Sequence, residues 1–143
     1  MTPHQASGAG QAVEDAYILG EILHRVFAAC AGSGSGSGSR PSPALLARAF
    51  AVYEQVRLPL ANAVLATSRD NGWMYSLSYP GCRPEDLFER GADGRLRLGA
   101  GQVERMEKML DAQWSWAWTT SVDDDRDRAM RLLDEVLASS PGS

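Results

Sequence analysis

The chain has 143 residues, enough for one domain with a real core, and its 44% hydrophobic content, with four Trp and five Met, suits a folded protein. The formal net charge is −4 and the 14 Lys and Arg form no basic cluster, which argues against nucleic acid as a partner. No apolar run approaches the roughly 20 residues that cross a bilayer, and no basic region followed by an apolar stretch marks a secretory signal, so neither a membrane nor secretion is expected.

Residues 1–30 set up the first element. Pro3-His4-Gln5 opens it, small residues follow with Gly8 and Gly10 two apart, and an apolar-periodic segment then begins at once. Small residues ahead of a helix let its first turn approach a ligand closely, with unpaired N–H groups and the positive end of the dipole facing an electron-rich atom. From about Gly10 to Ala29, Ala12, Ala16, Leu19, Leu23, Val26 and Cys30 recur at helical spacing, with Val13, Tyr17 and Phe27 beside them. Polar positions are few, so this helix is expected to be buried on most of its circumference. Glu14 and Asp15 read as dipole and capping partners. His24 reads as a structural histidine, and Cys30 and Cys82, far apart, as two thiols in a reducing, cytoplasmic setting.

Residues 31–43 form a flexible linker, dominated by the Gly/Ser repeat from Gly32 to Ser39. The repeat has neither the Lys-Ser/Thr ending nor the preceding strand of a phosphate-binding loop.

Residues 44–143 read as a helical region. A second long helix starts after Pro41-Ser42-Pro43, with Leu46, Phe50, Tyr53, Leu60 and Val64 on one face and Leu45, Ala49 and Val56 widening it. Pro59 is expected to kink or break it near Val56, and Asn71-Gly72 to end it. Arg57 reads as an ion-pair partner for the helix pair, with a site role as the alternative. Between Trp73 and Leu98, Pro80-Gly81, Arg83-Pro84, Gly91 and Asp93-Gly94 signal turns. Pro84 to Glu89 suits one helical turn, and Arg95 to Leu98 suits a short hairpin strand. Helix returns from about Gln102 to Trp118, with Val103, Met106, Leu110, Trp114 and Ala117 on one face. Trp114, Trp116 and Trp118 cannot all point the same way, so at least one should reach solvent or another layer. Ser121 to Asp125 resembles a capping box variant, and Ala129, Met130, Leu132, Leu133, Val136 and Leu137 form the stripe of a last helix. Consecutive carboxylates diverge on a helix, so Asp123-Asp124-Asp125 is not expected to bind metal.

Three segments carry a resemblance. The run from Pro3-His4-Gln5 through Gly10-Gln11-Ala12-Val13-Glu14-Asp15-Ala16 is similar to the second flavin-binding motif of the FAD-dependent aromatic hydroxylases, close to the salicylate hydroxylase branch. Tyr53-Glu54-x-x-Arg57-x-Pro59 and Asn71-Gly72-x-x-Tyr75 resemble further signatures of that family. Ala6 stands where the family usually has the first glycine of its loop, and the family's ribityl-binding aspartate lies ahead of the matched stretch. The resemblance implies a mainly α, C-terminal portion of a flavoprotein hydroxylase, with four to five helices and room for a small hairpin.

By resemblance, Pro3 stands beside the flavin ring, and the backbone of Gly8, Ala9 and Gly10 faces its pyrimidine edge, with Gln5 and Gln11 as further cofactor contacts. His4 is the titratable group of the motif and, with Pro3, the candidate for a catalytic role; a positioning role is the alternative. N–H donors and a helix dipole at that place stabilise negative charge on a reduced ring. The family reaction uses FAD, NAD(P)H and oxygen to hydroxylate an aromatic substrate. The N-terminal nucleotide-binding portion of the family, with its Gly-x-Gly-x-x-Gly strand–loop–helix, has no counterpart here, so the chain alone is expected to be inactive. A non-catalytic helical interaction module is the alternative, and a small-molecule binder built on the Trp-rich segment is a third.

Overall fold

The computed structural model describes residues 3–32, 40–78, 83 and 87–139; the Gly/Ser repeat from Ser33, Pro80-Gly81, Cys82 and the start of the helical turn expected from Pro84 to Glu89 lie outside them, and Phe88 and Glu89 at its end are strand, not helix. The described chain is mainly α. A 3-10 turn (Pro3–Gln5) leads into α1 (Gly8–Ala31) and α2 (Pro43–Tyr75). A two-strand hairpin follows, β1 (Phe88–Arg90) with β2 (Leu96–Leu98), and then α3 (Ala100–Trp114), α4 (Trp116–Thr119) and α5 (Val122–Ala138).

These elements divide into two compact units, Ala9–Asn62 with Ser121–Ser143, and Met1–Gly8 with Ala63–Thr120. The first unit is a three-helix arrangement. Its core is Ile18, Ile22 and Val26 of α1, Ala49, Val52 and Val56 of α2, and Ala129 and Leu133 of α5. Leu45, Leu46, Tyr53, Met130, Leu132, Val136 and Leu137 pack around it. The α5 stripe is the one expected, whereas the α1 stripe is rotated. It runs through Gln11, Ile18, Ile22 and Val26, leaving Val13, Tyr17 and Phe27 exposed. Alanines are weak anchors, and the two isoleucines four residues apart decide which face turns inward. On α2 likewise Val52 replaces Phe50 at the centre of the buried face, and Phe50 is exposed.

Helix α2 runs unbroken through Pro59. Pro59 and Gln55 are both exposed, so the carbonyl that loses its intrahelical donor faces water, and packing on either side outweighs the defect. Asn71-Gly72 does not end the helix either. The stop comes at Leu77, which takes a left-handed φ of 54°. The Leu77 N–H donates to Met74 O at 2.9 Å and the Ser78 N–H to Trp73 O at 2.9 Å, the paired bonds of a Schellman ending.

The second unit has its own small core, Met74 and Leu87, with Leu77, Leu98, Met106, Met109 and Leu110 packed against them. The hairpin is antiparallel, with Phe88 opposite Leu98, and turns through Gly94 at a φ of 76°. Asp93 Oδ1 accepts the Arg95 N–H at 3.1 Å and Asp93 Oδ2 pairs with Arg97 at 2.6 Å, holding the turn from inside. Helix breaks at Ser115, between α3 and α4, so the single helix expected to Trp118 is two. Trp114 and Trp118 stack across that break, centroids 6.4 Å apart, while Trp118 is exposed.

Candidate functional site

The N-terminal motif begins as the turn Pro3–Gln5 and reverses at Ala6, whose φ is 50°. A left-handed residue is what lets the chain leave a 3-10 turn and start α1 two residues later, and it accounts for a glycine at this position in the similar family. Gln5 is 3% exposed and anchors the turn from below. Its Nε2 donates to Gln113 O at 3.1 Å, and its Oε1 accepts the Thr67 hydroxyl at 2.9 Å.

His4 is exposed and lies on the backbone of α2. A Cβ added at Gly72 would stand 2.5 Å from His4 Cδ2 and 2.6 Å from Nε2, so glycine is the residue that admits the ring. Tyr75 meets the imidazole edge-on at 6.3 Å. His4, Arg69, Gly72, Trp73, Ser76 and Ser78 line an open cleft of about 340 Å³ there. The Asn71-Gly72-x-x-Tyr75 segment is thus the seat of His4 and not a helix stop.

Gly8, Ala9 and Gly10 form the first turn of α1 and are exposed, and nothing lies within 4 Å of a Cβ built on either glycine. Ser7, at the position where a capping side chain would stand, donates its hydroxyl to Gln5 O at 2.9 Å instead. The first turn is therefore exposed with no atom close over the glycines, and a helix start, whose first N–H groups have no intrahelical partner, suits a carbonyl or anion.

Gln11 lies one turn further along and belongs to a different cluster. Arg57 of α2 is 3% exposed and makes four hydrogen bonds. Its Nε donates to Asp15 Oδ1 at 2.8 Å, Nη1 to Asp125 Oδ2 at 2.7 Å, and Nη2 to Gln11 Oε1 at 3.1 Å and Glu14 Oε2 at 2.9 Å. Gln11 Nε2 in turn donates to Glu14 Oε2 at 3.2 Å. Residues 11, 14 and 15 share one face of α1, so a single planar guanidinium reaches all three. Burial disfavours the Arg57 charge, but the hydrogen bonds it donates to Asp15, Glu14 and Asp125 outweigh it, and its pKa lies above the ordinary arginine value. The Tyr53 phenol is also held above its ordinary value, first by burial and then by the Asp15 carboxylate, to which it donates.

Two of the resembling segments, Gln11 to Asp15 and Tyr53 to Arg57, therefore meet at one ion-pair centre. Arg57 is the ion-pair partner expected. Asp125 had no assigned partner in the sequence; one acid of a run of three, facing a buried arginine from the start of a third helix, leaves no local signal. Asp123 pairs with Arg126 at 3.1 Å and its N–H is capped by Ser121 Oγ at 3.2 Å, so the three aspartates diverge. Among the described residues no group of three or more His, Cys, Asp or Glu is placed to hold a metal ion, and no helix is long and apolar enough to cross a membrane.

Known proteins align with nearly the whole chain. It is 27% identical over 95% of its length to the 6-methylsalicylate 1-monooxygenase atA of Aspergillus terreus, and 30% and 29% identical over 93% and 87% of its length to two salicylate hydroxylases of Pseudomonas putida. It spans only 24%, 24% and 22% of the length of those relatives. No family model and no solved structure matches the chain. By sequence the chain is a relative of the salicylate hydroxylase-type monooxygenases, and it fits a C-terminal portion of them.

Proposed function

We propose that this chain is the part of an FAD-dependent aromatic hydroxylase that presents the first turn of α1 to the flavin. The observation that carries the reading is the open turn at Gly8, Ala9 and Gly10, in a segment similar to the family's flavin motif. The residues present fit the cofactor in that respect: small residues, exposed donors and no side chain above the glycines. FAD, when bound, supplies the redox and oxygen chemistry. The chain's own part is to place backbone N–H donors and the positive end of a helix dipole where negative charge collects on the ring. Gln5 and Gln11 support that turn through their side chains, Gln5 beneath the preceding loop and Gln11 within the Arg57 cluster. Pro3 and His4 lead into it, with the His4 ring seated on Gly72. Hydroxylation of an aromatic substrate with NAD(P)H and oxygen, in the cytoplasm, is the activity of the assembled protein under this reading.

A second reading, a non-catalytic interaction module, is favoured by the large apolar side chains exposed on each unit, Val13, Tyr17, Phe27, Phe50 and Leu58 on one and Leu65, Trp73 and Trp118 on the other. The discriminating experiment is visible absorption after incubation with FAD and desalting, for the chain alone and for its complex with the N-terminal portion of a salicylate hydroxylase. Retention of flavin in the complex, beyond that of the N-terminal portion by itself, supports the first reading. A complex that forms on gel filtration yet gains no flavin overturns it in favour of the second.

A further inference from the structure

The same α1 that exposes its first turn is gripped one turn later by Arg57, and this grip has the features of a positioning device. A buried guanidinium is costly unless every donor is well matched, and a fold that needed only a filled core would place an apolar residue here. Three of the four Arg57 hydrogen bonds go to α1, all between Gln11 and Asp15, and the fourth reaches Asp125 at the start of α5. The carboxylates involved are 24–35% exposed, so the guanidinium closes the cluster from the inside. The apolar contacts of α1 begin only at Ile18, two turns beyond Gly10. Without Arg57 the first two turns would be held only from the preceding loop, through the Gln5 hydrogen bonds to Gln113 and Thr67. Glu14 and Asp15 would also stand uncompensated near the helix start, opposing the positive potential an electron-rich ligand needs there.

We infer that Arg57 is the positioning residue for the exposed first turn of α1, fixing its direction and offsetting Glu14 and Asp15; the inference rests on the flavin reading above. The test is residue-resolved amide hydrogen exchange on the intact chain and its Arg57→Lys and Arg57→Gln variants, with FAD retention measured in the complex with the N-terminal portion. Expected is exchange faster by about tenfold or more at Ala12 to Ala16, with amides from Ile22 to Val26 changed less than about twofold. Lysine retains the charge but not the planar fork, so Arg57→Lys should recover little of the protection. Asp125→Asn, which leaves the three α1 contacts in place, serves if both Arg57 variants fail to fold; it should leave the Ala12 to Ala16 amides protected. Uniform acceleration along α1, or none, marks Arg57 as general structure and overturns the inference. So does a complex in which wild type and Arg57→Lys retain FAD equally. A wild-type complex without flavin defeats the flavin reading itself, and the inference with it, whatever the exchange pattern.

Discussion

Ala6 and Leu77 are both non-glycine residues in the left-handed region, with φ of 50° and 54°, yet glycine should have opposite effects at the two positions. An L-residue in that region costs roughly 1–2 kcal/mol, which Ala6→Gly removes. Glycine also gives the unfolded chain more freedom, worth about 0.4–1 kcal/mol against the fold. Ala6 is exposed and loses no burial, so the net is a gain of about 0.5–1 kcal/mol. Leu77 is half-buried against Met74 and Leu87; Leu77→Gly recovers the same strain but forfeits about half of a leucine's 1.5–3 kcal/mol of burial and adds the entropy term. The net is a small destabilisation of about 0.3 kcal/mol. All four tryptophans, Trp73, Trp114, Trp116 and Trp118, lie in the unit that contains Ala6 and Leu77, so indole fluorescence in a urea titration reports from that unit. With a slope near 1–2 kcal/mol per M, the midpoint should rise by about 0.5 M for Ala6→Gly and fall slightly, by about 0.2 M, for Leu77→Gly. A lower midpoint for Ala6→Gly would refute the strain argument at its simplest site.

Gly72→Ala adds a methyl 2.5 Å from the His4 ring but also restores helix propensity worth about 1 kcal/mol; since the ring is exposed it should swing away, leaving stability within about 1 kcal/mol and moving the His4 proton resonances off Tyr75. A large loss of stability with unmoved resonances would contradict the seat assigned to His4. Asn71 is fully buried and neither side-chain nitrogen nor oxygen has a hydrogen-bonding partner, so Asn71→Leu should raise the fluorescence midpoint by about 1–3 kcal/mol of stability, and a fall would show that its amide is satisfied in solution. The Tyr53 pKa is raised in the fold above its unfolded 10.0, so its contribution is complete below pH 10 and is lost as pH rises through the folded value. Circular dichroism melts between pH 9 and about 11.5 should show a shallower alkaline decline for Tyr53→Phe, and identical slopes would rule out that linkage.

Much of the fold was legible because its signals are local. Ser121 caps α5, Ala129 and Leu133 mark its inner face, and Asp93-Gly94 turns the hairpin. The misread boundaries on α2 share one cause. Pro59 and Gly72 are helix breakers by intrinsic preference, but Pro59 faces water and Gly72 makes room for a ring 68 residues away in sequence. The stop was at Leu77, a residue with no left-handed preference, held there by packing against Met74 and Leu87. The rotated face of α1 arose from weighing alanines as heavily as isoleucines. Asp125 was invisible as an Arg57 partner for a different reason: ion pairs across 68 residues of chain leave no periodicity.

The resembling segments divide physically into two kinds of residue. Gln5, Gln11, Glu14, Asp15, Tyr53, Arg57 and Gly72 have their side chains, or the space left by lacking one, turned toward other parts of the fold. Gly8, Ala9 and Gly10 alone are small and face outward at a helix start. A chain that kept only the scaffold would retain most of the first group, because losing the polar contacts around Gln5 and Arg57 leaves a buried donor or charge unmatched, but nothing in the fold would preserve the second. The bulk of the similarity therefore speaks for shared architecture, and the flavin reading rests on three backbone positions. Gly8→Val is the change that separates them. A side chain there meets no atom within 4 Å, so folding should be disturbed only by the propensity difference, under about 1 kcal/mol, while a flavin edge lying against that turn would be displaced. Equal helicity with lost retention in the assembled complex ties the turn to the cofactor, and equal retention removes it from the site.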